Sequence, residues 1–146
     1  MSTVEHRSDA SPAAVWAVLA DGWTFGSWVV GASRVRAVEP DWPAVGSRVH
    51  HSVGAWPAVL DDNTEAVEAA EGERLVMLAR TRPVGQARVE ITLVPDGEKT
   101  LIRMTEDFVS GPATIVPSPV RGAALTARNT ETLRRLSFLA QRRTRP

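Results

Sequence analysis

Two side chains of this 146-residue sequence stand where acid–base chemistry could be done. Over residues 99–109 the alternation puts Ile102, Met104, Glu106 and Phe108 on one face, with Leu101, Arg103, Thr105 and Asp107 on the other. Glu106 therefore points inward among apolar neighbours. An ionised carboxylate there is costly, so it needs a partner or keeps its proton. A carboxyl in that state can act as general acid or base on a carbonyl or an enol. Over residues 46–55, Val49, His51, Val53 and Ala55 share the inner face, with Arg48, His50 and Ser52 opposite. His51 is the side chain whose ordinary pKa lies nearest neutrality. The plainer readings are, for Glu106, a buried ion pair with a helix arginine or a register shift that exposes it beside Asp107; for His51, a core imidazole hydrogen-bonded to a neighbouring strand or helix; and for Arg128, a solvent-facing residue on a helix flank. A candidate arginine exists: Arg121, Leu125, Arg128 and Thr132 fall on one side of a helix. From there Arg128 can pair with Glu106 or hold a ligand carboxylate or phosphate. Asn129, beside it, can bridge the helix to the sheet.

Other chemistries find less support. No Cys is present, so disulfides, thiolate metal sites and Cys nucleophiles are excluded. Of the three His, His50 and His51 are adjacent and must point to opposite faces of a strand, and His6 is distant and read as facing outward. No metal site and no cofactor are expected from that spacing. Walker, dinucleotide and Gly-x-Ser-x-Gly motifs do not occur. Seventeen basic residues, sixteen of them Arg, balance seventeen acidic ones. A neutral chain is a poor fit to nucleic acid, which selects a basic excess. The acidic run 61–73 and the seven arginines of 119–146 are read as opposite solvated faces of one domain.

The elements that must position these groups follow from periodicity. Residues 3–8 alternate as a strand, with Val4, His6 and Ser8 on one face. Ser11 and Pro12 form a helix start, with Val15, Trp16, Val18 and Leu19 at helical spacing, and Asp21-Gly22 as the stop, where Gly supplies the C-terminal turn. Residues 23–30 carry Trp23, Phe25 and Trp28 on a short second helix or turn. Aromatic faces there suit apolar ligands as well as ordinary packing. From Ser33 the period is two: strands at 33–39, 46–55, 58–70, 73–81, 86–94 and 99–109, with turns at Glu71-Gly72 and Asp96-Gly97. Residues 58–70 are ambiguous in facing. Trp56 sits at a strand turn, and Leu75, Met77 and Ala79, then Val89, Ile91 and Leu93, share inward faces. After a Pro-rich loop, Ser118-Pro119 opens a long helix to about residue 142, striped by Leu125, Asn129, Leu133, Leu136 and Ala140, with Thr132 and Leu139 alongside. The tail from 143 to 146 is expected to fray. The chain is thus read as a single α+β domain over 1–146: a curved antiparallel sheet wrapped around a C-terminal helix, with two short helices after the first strand. A sheet that curls away from the helix at one end leaves a concave apolar site.

This order, with Ser11-Pro12-Ala13-Ala14-Val15-Trp16 at the first helix and Ala127-Arg128-Asn129-Thr130-Glu131-Thr132-Leu133-Arg134-Arg135-Leu136 in the last, resembles the START-like, or SRPBCC, superfamily, in its polyketide cyclase/dehydrase and lipid-transport branch. The resemblance implies a helix-grip (START/Bet v 1-like) fold and a hydrophobic small-molecule ligand held between sheet and long helix. It transfers no universal catalytic residue. The residues expected to line such a cavity are Trp23, Phe25, Trp28, Val49, Val53 and Trp56, then Met77, Ile91, Met104 and Phe108, then Leu125, Arg128 and Asn129. Three readings compete: a carrier of a lipid or polyketide-like compound, a cyclase or dehydratase that shuttles protons through His51 and Glu106, and a partner-binding protein whose cavity is filled. A homodimer stays open. The polar N-terminus MSTVEHRSDAS has no apolar signal core, and no stretch reaches the roughly 20 apolar residues of a membrane span. A cytoplasmic protein is expected.

Overall fold

Ser11 opens the first helix by accepting a hydrogen bond from the Ala14 amide at 3.2 Å, and Pro12 takes the first helical position. The computed structural model describes residues 1–55, 58–81 and 83–143. In chain order the elements are β1 (Ser2–Ser8), α1 (Pro12–Ala20), a 3-10 turn (Gly22–Thr24), α2 (Phe25–Trp28), β2 (Ala32–Val38), β3 (Arg48–Ala55), β4 (Ala58–Ala70), β5 (Arg74–Thr81), β6 (Gly85–Asp96), β7 (Lys99–Ser110), a second 3-10 turn (Pro112–Ile115) and α3 (Ser118–Arg143). The seven strands form one antiparallel sheet in the order β1-β7-β6-β5-β4-β3-β2.

The register stacks inward residues into rows across the sheet. Val4, Met104, Ile91 and Leu75 form one row, and Ser2, Glu106, Val89, Met77 and Ala66 the next. The inward parity of β3, β5, β6 and β7 is the one expected from alternation, and β4 resolves as Asp62, Thr64 and Ala66 inward. Irregular register occurs between β2 and β3, between β4 and β5 at Ala66/Glu68, and between β6 and β7 at Gln86/Ala87. Such bulges bend strands and raise twist, which lets the sheet curve. His6 lies half-buried on the inward face with Val4 and Ser8, not outward. The reason is parity: β1 is straight through residues 2–8, so position 6 shares the face of 4 and 8.

α3 closes the open side of the sheet. Its buried stripe is Leu125, Asn129, Thr132, Leu133, Leu136, Ser137 and Ala140. It packs chiefly on β1, α1, α2 and β7, so it lies toward one side of the curved sheet. Ser137 donates to Ser8 at 2.7 Å, and Trp42 Nε1 donates to the Leu19 carbonyl at 3.0 Å, tying a loop to the end of α1. Arg143 is the last described residue of α3 and meets Asp21 at 2.7 Å; residues 144–146 lie outside the described residues. Gly22 matters for closeness, not for a left-handed turn. Its φ is not positive, and an added Cβ would stand 2.7 Å from Val38 Cγ1. Gly97 does hold a positive φ of 63° in the β6–β7 hairpin.

Leu136 has no exposure and sits in the central cluster with Leu133 and Ile102. Leu136→Ala is expected to lower unfolding free energy by about 2–5 kcal/mol, read by urea denaturation.

Candidate functional site

Glu106 is held by the helix that faces it. It is 2% exposed, and Asn129 Nδ2 donates to its Oε1 at 2.8 Å. Arg128 Nη1 donates to Oε1 at 3.2 Å and to Oε2 at 3.3 Å. The buried ion pair with a helix arginine is therefore what forms. Consecutive residues 128 and 129 reach one carboxylate because it lies where the flank of α3 meets β7. Arg128 also reaches away from the sheet: its Nε donates to the Val30 carbonyl at 2.8 Å. The Val30 amide donates to Thr132 Oγ1 at 3.2 Å. Both backbone groups of Val30, in the link from α2 to β2, are thus bound by α3 side chains.

His51 is 3% exposed and points inward from β3. Its Nε2 shares a hydrogen bond with Thr64 Oγ1 at 2.9 Å, and its ring stacks on Phe25 with centroids 5.0 Å apart. Nδ1 is buried and has no partner among the described residues. Burial pushes the imidazole down from 6.5 to about 4; the Asp62 carboxylate opposes this, while Arg36, His50 and Arg128 add to it. The ring is neutral at physiological pH. His50 faces the other way and meets Glu39 at 3.1 Å.

These residues border a cavity of about 90 Å³ lined by Phe25, Val29, Val30, Gly31, Ala32, His51, Val53, Thr64, Ala79, Arg80 and Arg128. It lies between the α2–β2 link, the inner face of β3–β5 and the flank of α3. Of the residues expected at the ligand, His51, Phe25, Val53 and Arg128 line it. Glu106 and Asn129 stand behind Arg128 and bind each other. Trp28, Val49, Met77, Ile91, Met104 and Leu125 are buried away from the lining, all but Leu125 in the central core cluster. Phe108 is half-buried outside the lining, and Trp23 is 60% exposed because the 3-10 turn holds it on the outer side. Trp56 lies outside the described residues. The lining residues that sequence reasoning missed are Val29–Ala32, Thr64, Ala79 and Arg80. Thr64 is the cross-strand partner of Ala79, already read as inward on β5, so fixing the parity of β4 would have found Thr64.

A one-sided helix, a curved antiparallel sheet and an apolar cavity between them define the helix-grip class. The family described as polyketide cyclase/dehydrase and lipid transport matches residues 2–140, and the chain belongs to it. Among solved structures, the Zhui aromatase/cyclase from Streptomyces sp. R1128 is similar at 21% identity, TM-score 0.69, covering 98% of this chain and 95% of that one. Protein NE0264 from Nitrosomonas europaea is similar at 15% identity, TM-score 0.72, covering 97% and 94%. Ara h 8.0201 is similar at 11% identity, TM-score 0.73, covering 95% of each. No curated protein matches the sequence. Among the described residues, no helix is long and apolar enough to cross a membrane.

Two outcomes follow from this geometry. Arg128→Met leaves the Glu106 carboxylate buried with Asn129 as its remaining donor. The guanidinium side chain is 35% exposed, so the expected loss is near the low end for a broken buried pair, about 3 kcal/mol by urea unfolding. The double variant Glu106→Leu/Arg128→Met is expected to recover much of it. For His51, the unfolded chain takes up a proton below pH 6.5 while the folded protein resists until about 4. Stability tied to the neutral ring is complete above 6.5 and is lost as pH falls toward 4. The advantage or deficit of wild type relative to His51→Gln should shift against wild type by on the order of 3 kcal/mol over that range. NMR titration should show the His51 ring uncharged down to about pH 5, given the value of about 4.

Proposed function

We propose that this protein binds a hydrophobic small molecule, a lipid or polyketide-like compound, in the cavity between sheet and C-terminal helix. The observation that carries this reading is the lining itself: Phe25, Val29, Val30, Ala32, Val53 and Ala79 form an apolar wall around one neutral imidazole with an unpartnered nitrogen. A cavity of about 90 Å³ is smaller than the roughly 300 Å³ at which small-molecule sites begin. Admission of a ligand therefore moves wall atoms. If the α2–β2 link is the wall that moves, the two hydrogen bonds that tie Val30 to α3 are what must break.

A second reading, catalysis of the cyclisation or dehydration type, is favoured by one observation, the free Nδ1 of His51. In that reading His51 acts without Glu106, whose oxygens are bonded to Arg128 and Asn129. A ring that titrates near 4 is a weak base at neutral pH, so its first role is to hydrogen-bond a ligand oxygen or hydroxyl.

The test is titration with the uncharged fluorophore N-phenyl-1-naphthylamine. Saturable binding by the wild type is expected. Ala79→Leu, which fills the chamber, should weaken it about tenfold or more, since lost burial of a few methylenes is worth over 1.4 kcal/mol. Binding to Ala79→Leu as tight as to wild type, with the variant folded by circular dichroism, overturns the reading.

A further inference from the structure

The cavity carries more positive charge than an apolar pocket needs. Arg80 and Arg128 both line it, and no Asp or Glu does. Glu106 compensates Arg128 from behind. Arg80 makes no ion pair with any described residue. Arg128 spends Nε on Val30 and Nη1 on Glu106, leaving Nη2 without a hydrogen bond among the described residues. His51 stands on the same lining, adds no charge, and has a buried Nδ1 without a partner among the described residues. Arg80, Arg128 and His51 thus meet at a single apolar chamber, with no ion pair to Arg80 and no hydrogen bond to Arg128 Nη2 or His51 Nδ1 among the described residues. A neutral ligand would leave the excess charge unmatched. A singly charged oxyanion would match it, and a guanidinium edge donates charge-assisted hydrogen bonds to such oxygens.

We infer that the ligand is an amphipathic acid, its apolar body against Phe25, Val29 and Val53 and its carboxylate, or an oxyanion of equal charge, between Arg80 and Arg128 at the rim. This rests on the hydrophobic-cavity reading above and narrows it to a charge class. Arg80 is exposed at the end of β5 and Arg128 is partly exposed, so the acid head stays near water while the body enters. The head meets Arg128 on the side away from Glu106, so the buried pair need not break for the ligand to bind.

The experiment compares two probes with one skeleton: N-phenyl-1-naphthylamine and its 8-sulfonate, 1-anilinonaphthalene-8-sulfonate. Wild type is expected to bind the sulfonate about tenfold more tightly than the neutral amine, the worth of one charge-assisted hydrogen bond. Added salt should narrow that ratio. Arg80→Gln should narrow it about threefold, as expected for an exposed cation. Equal affinity for the two probes overturns the acid assignment while leaving hydrophobic binding intact. Binding of neither probe ends both. A preference for the sulfonate that survives in Arg80→Gln and in the charge-balanced double variant Glu106→Gln/Arg128→Gln places the anion elsewhere and overturns the assignment to this rim.

Discussion

A carboxylate taken out of water must be met by donors, and Glu106 imposes that demand on the whole molecule. It sits in β7, in a row with Ser2, Val89, Met77 and Ala66, and none of these side chains hydrogen-bonds it; the Ser2 hydroxyl pairs with Thr126 instead. The helix α3 answers with Asn129 and Arg128, which fixes how far along β7 it lies and which flank it turns to the sheet. The apolar stripe from Leu125 to Ala140 sets the helix on the sheet, and the carboxylate sets its register.

The same arginine connects that constraint to the ligand chamber. Arg128 bridges Glu106 on β7 and the Val30 carbonyl in the α2–β2 link, while Thr132, one turn on, takes the Val30 amide. Helix position, closure of the link and the charge at the rim are therefore one network, so a change to any member is felt by the others. The fold permits the chamber because α3 lies over β1, α1 and α2, leaving the inner face of β3–β5 to be covered by Phe25 and the link. Elsewhere the space is filled: Trp28, Met77, Ile91 and Met104 occupy the interior beside it.

Much of this was legible in the sequence for a physical reason. Parity on a strand is decided by two residues, so Glu106 and His51 could be placed inward from local alternation alone. The α3 stripe was equally local. Burial depth along an element was not. Met77, Ile91, Met104 and Trp28 share faces with lining residues, but whether an inward side chain meets a ligand or another side chain depends on where α3 lies, a long-range fact. Thr64 was hidden by the ambiguous facing of β4, whose bulge at Ala66/Glu68 interrupts the period, whereas Ala79 was read as inward on β5 and only its depth along the strand was missing. Arg80 follows Ala79 out of phase, and only the strand's end at the rim brings it to the chamber. Gly22 was read as a turn former because of its position after a helix, whereas the approach of Val38 is what excludes a side chain there.

The electrostatics of the chamber bear on what such a site can do. Burial and the nearby cations Arg36 and Arg128 keep His51 neutral, and the Asp62 carboxylate does not reverse it. A proton shuttle near neutrality needs a pKa close to ambient pH, with the charged form within easy reach. Here the same guanidinium that completes the Glu106 pair raises the cost of an imidazolium. The arrangement is a neutral ring with an Nε2 partner in Thr64 and a buried Nδ1 without a partner among the described residues, set in an apolar wall. An anion bound at Arg128 would offset part of that field and raise the His51 pKa toward its ordinary value. Proton affinity at the ring and occupancy of the rim are coupled, so an acid ligand would itself bring the imidazole closer to the range where it can exchange protons.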